Sequence, residues 1–240
     1  MSGLACLPMY DWPEERGAVD ALWARIRAGT DAQLPRALAR PASEAALFAL
    51  WRDPALVLSQ TCWGPLRMGL LPGLRVLAQP DYSDVPGGSG PLYRSAVIGR
   101  SGAARPVPEG RAAALPKGLL AGRVLAVNAR HSLSGWLALA ADLGADPGTR
   151  AASVVLTGGH RASIRAVAAG RADLAAIDCR SWALAQHHEP CAAGLVVLGW
   201  TAARPGLPYV TGANTDPALA AGLQATLIGM GCHPPQEEFA

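Results

Sequence analysis

The sequence predicts an α/β fold with mostly parallel sheets, and three observations predict it. Short apolar runs of strand length alternate with helix-period stretches along the chain. Several of these runs, such as "ASVVLTGG" and "GLVVLGWT", are apolar at successive positions, as strands covered on both faces are. Small polar turns then lead from a run into the next periodic stretch, the punctuation of strand–loop–helix units.

Taken in order, "GLACLPMY" reads as a first strand. "DWPEERGAVDALWARIRAG" reads as a helix, with Asp11 as its cap, Pro13 in the first turn and Glu14 completing a capping box. Val19, Leu22, Trp23 and Ile26 form its apolar stripe, and Gly29 ends it. "PALVLSQT", "LRVLAQPDY" and "YRSAVIGRS" follow as strands, then "GRVLAVN", "ASVVLTGG", "ADLAAID" and "GLVVLGWT", separated by helical patterns. "GGSG" at 87–90 is a loop. The Pro-, Gly- and Ala-rich stretch 101–116 is the best candidate boundary. "LGWTAARPGLPYVTG" is read as returning the chain to its first lobe. No internal repeat is present.

Bulk properties exclude several function classes. The 240 residues suffice for one large domain or two small ones. Half are hydrophobic and 16% charged, which excludes a disordered chain. Net charge is +3, from 21 basic and 18 acidic residues, too balanced to argue for a nucleic-acid partner. The longest apolar run, Cys191 to Ala203, is shorter than the roughly 20 residues a membrane span requires, so no embedding is expected. The N-terminus lacks a basic segment before an apolar one, so the chain as written is expected to be cytoplasmic or to have lost a leader. The five cysteines show no disulfide spacing and read as small buried residues. His187, His188 and Cys191 match no zinc pattern, and there is no nucleophile elbow, Walker A loop or dinucleotide fingerprint. No metal, cofactor or catalytic residue is expected.

The chemistry gathers at strand-to-helix junctions. In "VLAVNARHSLSGW" an apolar strand ends at Asn128, then Ser132, Leu133, Ser134 and Gly135 open a helix. Helix-start amides and two hydroxyls suit an anion, although Ser132 also reads as a simple cap. "VVLTGGHRAS" supplies Thr157, Gly158, Gly159, His160 and Ser163 at a second junction; His160, if protonated, donates from both nitrogens. Asp178 ends the strand "ADLAAID", where it reads as a site acid or as a cap. Thr61 and Cys62 end another strand. Tyr10 and Tyr93 fit a polar pocket or the core equally.

The stretches "LSQTCWGPL", "GPLYRSAVIGR", "VNARHSLSGW", "TGGHRASIRAVAAGRADLAAIDCRSW" and "LGWTAARPGLPYV" together resemble the phosphate/phosphonate-binding subfamily of type II periplasmic binding proteins, the solute receptors of ABC importers. The resemblance covers nearly the whole chain. It implies two α/β lobes joined by two crossover strands, residues 1–98 and 199–240 against 99–198, with the ligand between them and hinge closure over it. It implies a small anionic ligand, an ABC permease as partner and a periplasmic location. It assigns ligand binding to Ser132, Leu133, Ser134 and Gly135, to His160 and Asp178, and to Tyr93, Tyr10 and Thr61. Leu133 stands where the family often has a small polar residue. Two alternatives remain at this point: an enzyme on the same scaffold, as in thiamine-pyrimidine synthesis, with Cys62 or His160 reactive, and a cytoplasmic ligand sensor.

Overall fold

The computed structural model describes residues 3–30, 32–102 and 105–235. In chain order the elements are β1 (Leu4–Cys6), α1 (Arg16–Ala28), α2 (Glu44–Trp51), β2 (Leu56–Gln60), α3 (Trp63–Arg67), β3 (Leu74–Ala78), β4 (Gly88–Ser89), β5 (Leu92–Tyr93), β6 (Ser95–Arg100) and β7 (Val124–Val127). A π-helical turn (Leu133–Leu137) runs into α4 (Ala138–Leu143), then α5 (Pro147–Arg150), β8 (Ser153–Leu156), α6 (His160–Ala168), β9 (Leu174–Asp178) and α7 (Cys179–His188). A 3₁₀ turn (Pro190–Gly194), β10 (Leu195–Trp200), β11 (Arg204–Pro205), β12 (Tyr209–Gly212) and α8 (Pro217–Gly229) complete the chain. The chain packs as two units: one takes the residues up to Asp81 and those from Pro205 onward, the other runs Tyr82–Arg204.

In the first unit the sheet order is β1-β2-β12-β3. β1 and β2 are parallel, and β12 is antiparallel to both β2 and β3, so β1, β2 and β3 point the same way. Their carboxyl ends therefore share one edge of the sheet. Trp23 and Ile26 of α1 and Leu223 and Leu227 of α8 cover Leu58, Leu77 and Tyr209. Each such burial contributes roughly 1.5–3 kcal/mol. A second cluster joins Trp51, Leu56 and Leu71.

The stripe expected on α1 is the one that packs, with Trp23 and Ile26 buried, but the helix starts later than its apparent capping box. Its N-terminal neighbour is Glu15, which makes no side-chain cap. The Asp11 carboxylate is taken instead by the Arg40 guanidinium at 2.7 Å, a partner 29 residues away.

In the second unit the order is β10-β6-β9-β7-β8. β7 runs parallel to β8 and β9, whereas β6 is antiparallel to β9 and β10 antiparallel to β6. Both sheets are thus mixed rather than mostly parallel. The reason is the path: β6 lies early in this unit and β10 late, and paired entry and exit strands run oppositely. Val97, Leu125, Trp136, Leu139, Leu174 and Leu198 form the core.

The packing divides the chain after Asp81 and after Arg204, where the sequence reading placed the junctions near 98 and 199. The shift follows from β6, whose Ser95 pairs with Asp178 and whose Gly99 pairs with Leu174. The stretch 101–116 is no boundary either; Ala103 and Ala104 lie outside the described residues. The Val107 amide donates to the Val197 carbonyl, Ala114 bridges to Trp200, and the Trp200 indole donates to the Val107 carbonyl at 2.6 Å.

Candidate functional site

Three parallel neighbours, β8-β7-β9, bring three strand ends together in the second unit. After β7 come Asn128 and the serine turn; after β8 come Thr157 and His160; β9 itself ends in Asp178. The register places Val127 beside Leu156, so the two loops leave the sheet side by side.

Ser132 caps its helix by accepting the Gly135 amide at 3.1 Å, and its Oγ also accepts from Asn128 Nδ2 at 3.0 Å. With two acceptor positions filled, the hydroxyl proton is left to donate. Ser134 Oγ lies 3.3 Å from it and 2.7 Å from His160 Nε2. His160 Nε2 is also 3.4 Å from Asp178 Oδ2, while Asp178 Oδ1 accepts the Ser181 amide at 2.9 Å and caps α7. Asp178 is thus a cap, one of its two sequence readings, and its second oxygen lies beside His160.

Burial pushes the His160 pKa below its ordinary value, and the Asp178 charge opposes that shift without overcoming it. Burial thus favours the neutral imidazole, which donates from one nitrogen where the protonated ring would donate from both. A carboxylate 3.4 Å from Nε2 favours the tautomer with the proton on that nitrogen. In that tautomer the proton is shared between Asp178 and Ser134 Oγ; where Ser134 accepts it, the serine keeps its own hydroxyl proton. Both serine hydroxyls then have protons to give. In the absence of an anion one can donate to the other across 3.3 Å.

Local sequence explains the turn. Its opening residues follow a π-helical pattern, with the Leu137 amide donating to the Ser132 carbonyl at 3.0 Å. Gly135 has no alternative here: a Cβ would lie 1.8 Å from Asn128 Oδ1. Leu133 is buried, so its contribution to an anion site is limited to backbone. The His160 loop is held by hydroxyls: Thr157 Oγ1 and Ser163 Oγ are 2.6 Å apart, and Thr157 Oγ1 also donates to the Val127 carbonyl at 3.1 Å. These two residues support the junction. Helix α6 is fixed from its other side by Glu189, whose buried carboxylate takes Arg161 and, through two bonds of 2.9 and 2.7 Å, Arg165. The hydrogen bonds from Arg165 and the charges of both arginines hold the Glu189 carboxyl below its usual range.

The remaining candidates are placed as follows. Tyr93 is buried in the second unit against Tyr82, ring centroids 5.7 Å apart. Tyr10 and Thr61 belong to the first unit. Tyr10 is half-buried beyond β1, and Thr61 is fully buried beyond β2, its amide donating to the Pro208 carbonyl at 3.0 Å. Sequence reading missed Asn128 as a partner of the turn, Ser95 and Glu189. Ser95 stands opposite Asp178 in the β6–β9 register, buried, with its Oγ unpartnered. A lone serine heading the apolar run "SAVIG" was the available signal.

Cysteine expectations hold for Cys6 and Cys179, whose burial pushes both thiols up to about 12. Cys62, Cys191 and Cys232 are only partly buried. The Cys191 thiol rests on Glu189 at 3.7 Å, and His187 packs edge-on against His188. Among the described residues no three metal-capable side chains come together, and no helix is long and apolar enough to cross a membrane.

Residues 69–239 match the family model described as the periplasmic substrate-binding protein of a phosphonate ABC transporter. The chain belongs to this family. No curated protein matches it in sequence. Its fold is shared with solved structures of low sequence identity. A binding protein component of an ABC phosphonate transporter from Pseudomonas aeruginosa has a TM-score of 0.69 at 15% identity, covering 99% of this chain and 83% of that one. PhnD1 from Prochlorococcus marinus, in complex with methylphosphonate, has a TM-score of 0.68 at 14% identity, covering 95% and 83%. XAC2383 from Xanthomonas citri, bound to a chloride ion, has a TM-score of 0.66 at 15% identity, covering 100% and 94%. Members of the family are transport receptors rather than enzymes, which sets aside the enzyme alternative.

Proposed function

We propose that this chain binds a small oxyanion, a phosphonate, phosphate or close relative, and presents it to an ABC permease. The observation that carries the reading is the 2.7 Å contact between Ser134 Oγ and His160 Nε2 beside the buried Asp178. It leaves Ser132 and Ser134 as hydroxyl donors at a helix start, where first-turn amides and the helix dipole add positive potential. Two directed hydroxyls and the first-turn amides recognise an anion by hydrogen bonds rather than by a buried counter-charge, with the neutral imidazole orienting Ser134. Methylphosphonate, the ligand of the similar Prochlorococcus protein, is the first compound to try. We also propose Tyr93 as a ligand residue of the second unit, and Tyr10 and Thr61 as ligand residues of the first unit.

Calorimetric titration with methylphosphonate, inorganic phosphate and sulfate tests the reading. Hydrogen bonds to charged groups are worth roughly 1.5–3 kcal/mol each. Replacing both Ser132 and Ser134 by Ala should therefore weaken the best anion by at least about a hundredfold. Folding stability should drop only by the lost cap, about 1 kcal/mol. Unchanged affinity in the double variant removes the serine turn from the site.

A further inference from the structure

We infer that Gln79 is a ligand-binding residue of the first unit, acting with Thr61 as a polar subsite for an oxyanion. The inference rests on the oxyanion-receptor reading and extends it to a residue that the serine turn does not involve.

Gln79 immediately follows β3, as Thr61 immediately follows β2. Both strands pair with β12, and the same residue, Tyr209, lies opposite Gln60 on one side and Ala78 on the other. Gln79 and Thr61 thus flank β12 at the shared carboxyl edge of three codirectional strands, the edge at which open α/β sheets bind ligands. Both residues are 0% exposed. The Gln79 carboxamide has neither its oxygen nor its nitrogen hydrogen-bonded, and the Thr61 hydroxyl is equally unpartnered.

The backbone does not account for this. The Gln79 amide and carbonyl are both satisfied by His233, at 2.8 Å each way. The backbone here is held by the pairing of Ala78 with β12 and by the His233 bridge. Buried polar groups are nearly always paired, because leaving one unpaired forfeits its hydration. An apolar side chain would suit this position better if folding were its only task. A carboxamide supplies two N–H donors and one acceptor, and the threonine adds a hydroxyl. That set fits an oxygen-rich group carrying partial or full negative charge.

The variants Gln79→Met and Thr61→Val keep volume and remove polarity. Ligand-free melting temperature and affinity for methylphosphonate and inorganic phosphate should be measured for both, with Ser134→Ala as reference. The expected result is a ligand-free melting temperature at or above wild type, with affinity for the better anion lowered about tenfold in each. Affinity within twofold of wild type, or a loss that accompanies a lower ligand-free melting temperature, overturns the inference. If wild type binds none of the anions, the receptor reading fails instead. The melting temperature of Gln79→Met then still decides whether its carboxamide is unpartnered in the folded protein.

Discussion

The two units gather polar side chains at the carboxyl ends of codirectional strands, yet they treat them differently. At the β8-β7-β9 edge the side chains are linked in one run, Asn128 to Ser132, Ser132 to Ser134, Ser134 to His160 and His160 to Asp178, with Asn128 Oδ1 and His160 Nδ1 left unpartnered. At the β2-β12-β3 edge, Thr61 and Gln79 are buried with no partner for their side chains. A linked run of side chains holds much of its geometry before ligand arrives. An unlinked edge gains its side-chain hydrogen bonds only when something polar binds. Unpartnered buried atoms lower stability at both edges, and at the second neither side chain has any partner.

Breaking the interlock of the networked edge should give the largest effect. Gly135→Ala drives a methyl group into Asn128, displaces its carboxamide and frees Ser132. Anion binding should fall below detection by calorimetry, with about 1–3 kcal/mol of stability lost to overpacking. Combining it with Asn128→Ser should recover much of that stability; additive losses would show that the 1.8 Å approach is not what excludes a side chain.

The support behind the network comes next. Glu189→Gln leaves Arg161 and Arg165 without their counter-charge, and α6 loses its outer anchor. The stability cost should be about 2 kcal/mol, moderated because Arg165 is half exposed. Anion affinity should fall by a smaller factor than in the serine double variant, since His160 is only indirectly displaced. Chemical denaturation and calorimetry on one preparation separate the two effects.

The smallest effect is one of pH. The folded-state pKa of His160 lies below its ordinary 6.5. The folded protein therefore binds that proton less readily than the unfolded chain. The stabilisation is fully present above about pH 6.5 and is lost as pH falls towards the folded-state value, at up to about 1.4 kcal/mol per pH unit. His160→Gln should flatten this part of the stability profile in denaturant titrations from pH 5 to 8. Coincident profiles would mean that the imidazole protonates freely in the folded state.

Much of the strand pattern was legible because it rests on local composition. Runs such as "VLAV", "LAAID" and "LVVLGW" are apolar at successive positions, and each proved to be a strand. Elements decided by distant partners were not legible. Asp11 looked like a cap until Arg40 claimed it. The segment forming α8, "PALAAGLQATLIG", shows no polar face to mark a period, and only packing against α1 and β3 defines its orientation. For the site, the sequence supplied residue types at strand ends, and Ser134, His160 and Asp178 were all singled out. Their meeting was not readable, since it depends on the order β8-β7-β9. Neither was the sharing of His160 Nε2 between Ser134 and Asp178. Gln79 went unnoticed because it was read as one more residue of the strand "LRVLAQPDY", and only its burial without a side-chain partner singles it out.

β8 is an edge strand, hydrogen-bonded to β7 alone, and its Val155 and Leu156 are exposed. Thr157 and His160 follow it directly. Half of the serine–histidine contact is thus carried by one of the less protected strands of its sheet, where local opening is least costly. A solute bound to Ser134 ties that edge, through the Ser134–His160 contact, to the better-paired β7 and lowers the population of opened forms by mass action. Occupancy would then be felt as reduced fraying at the rim of the sheet, on a surface that a partner protein can touch without reaching the ligand itself.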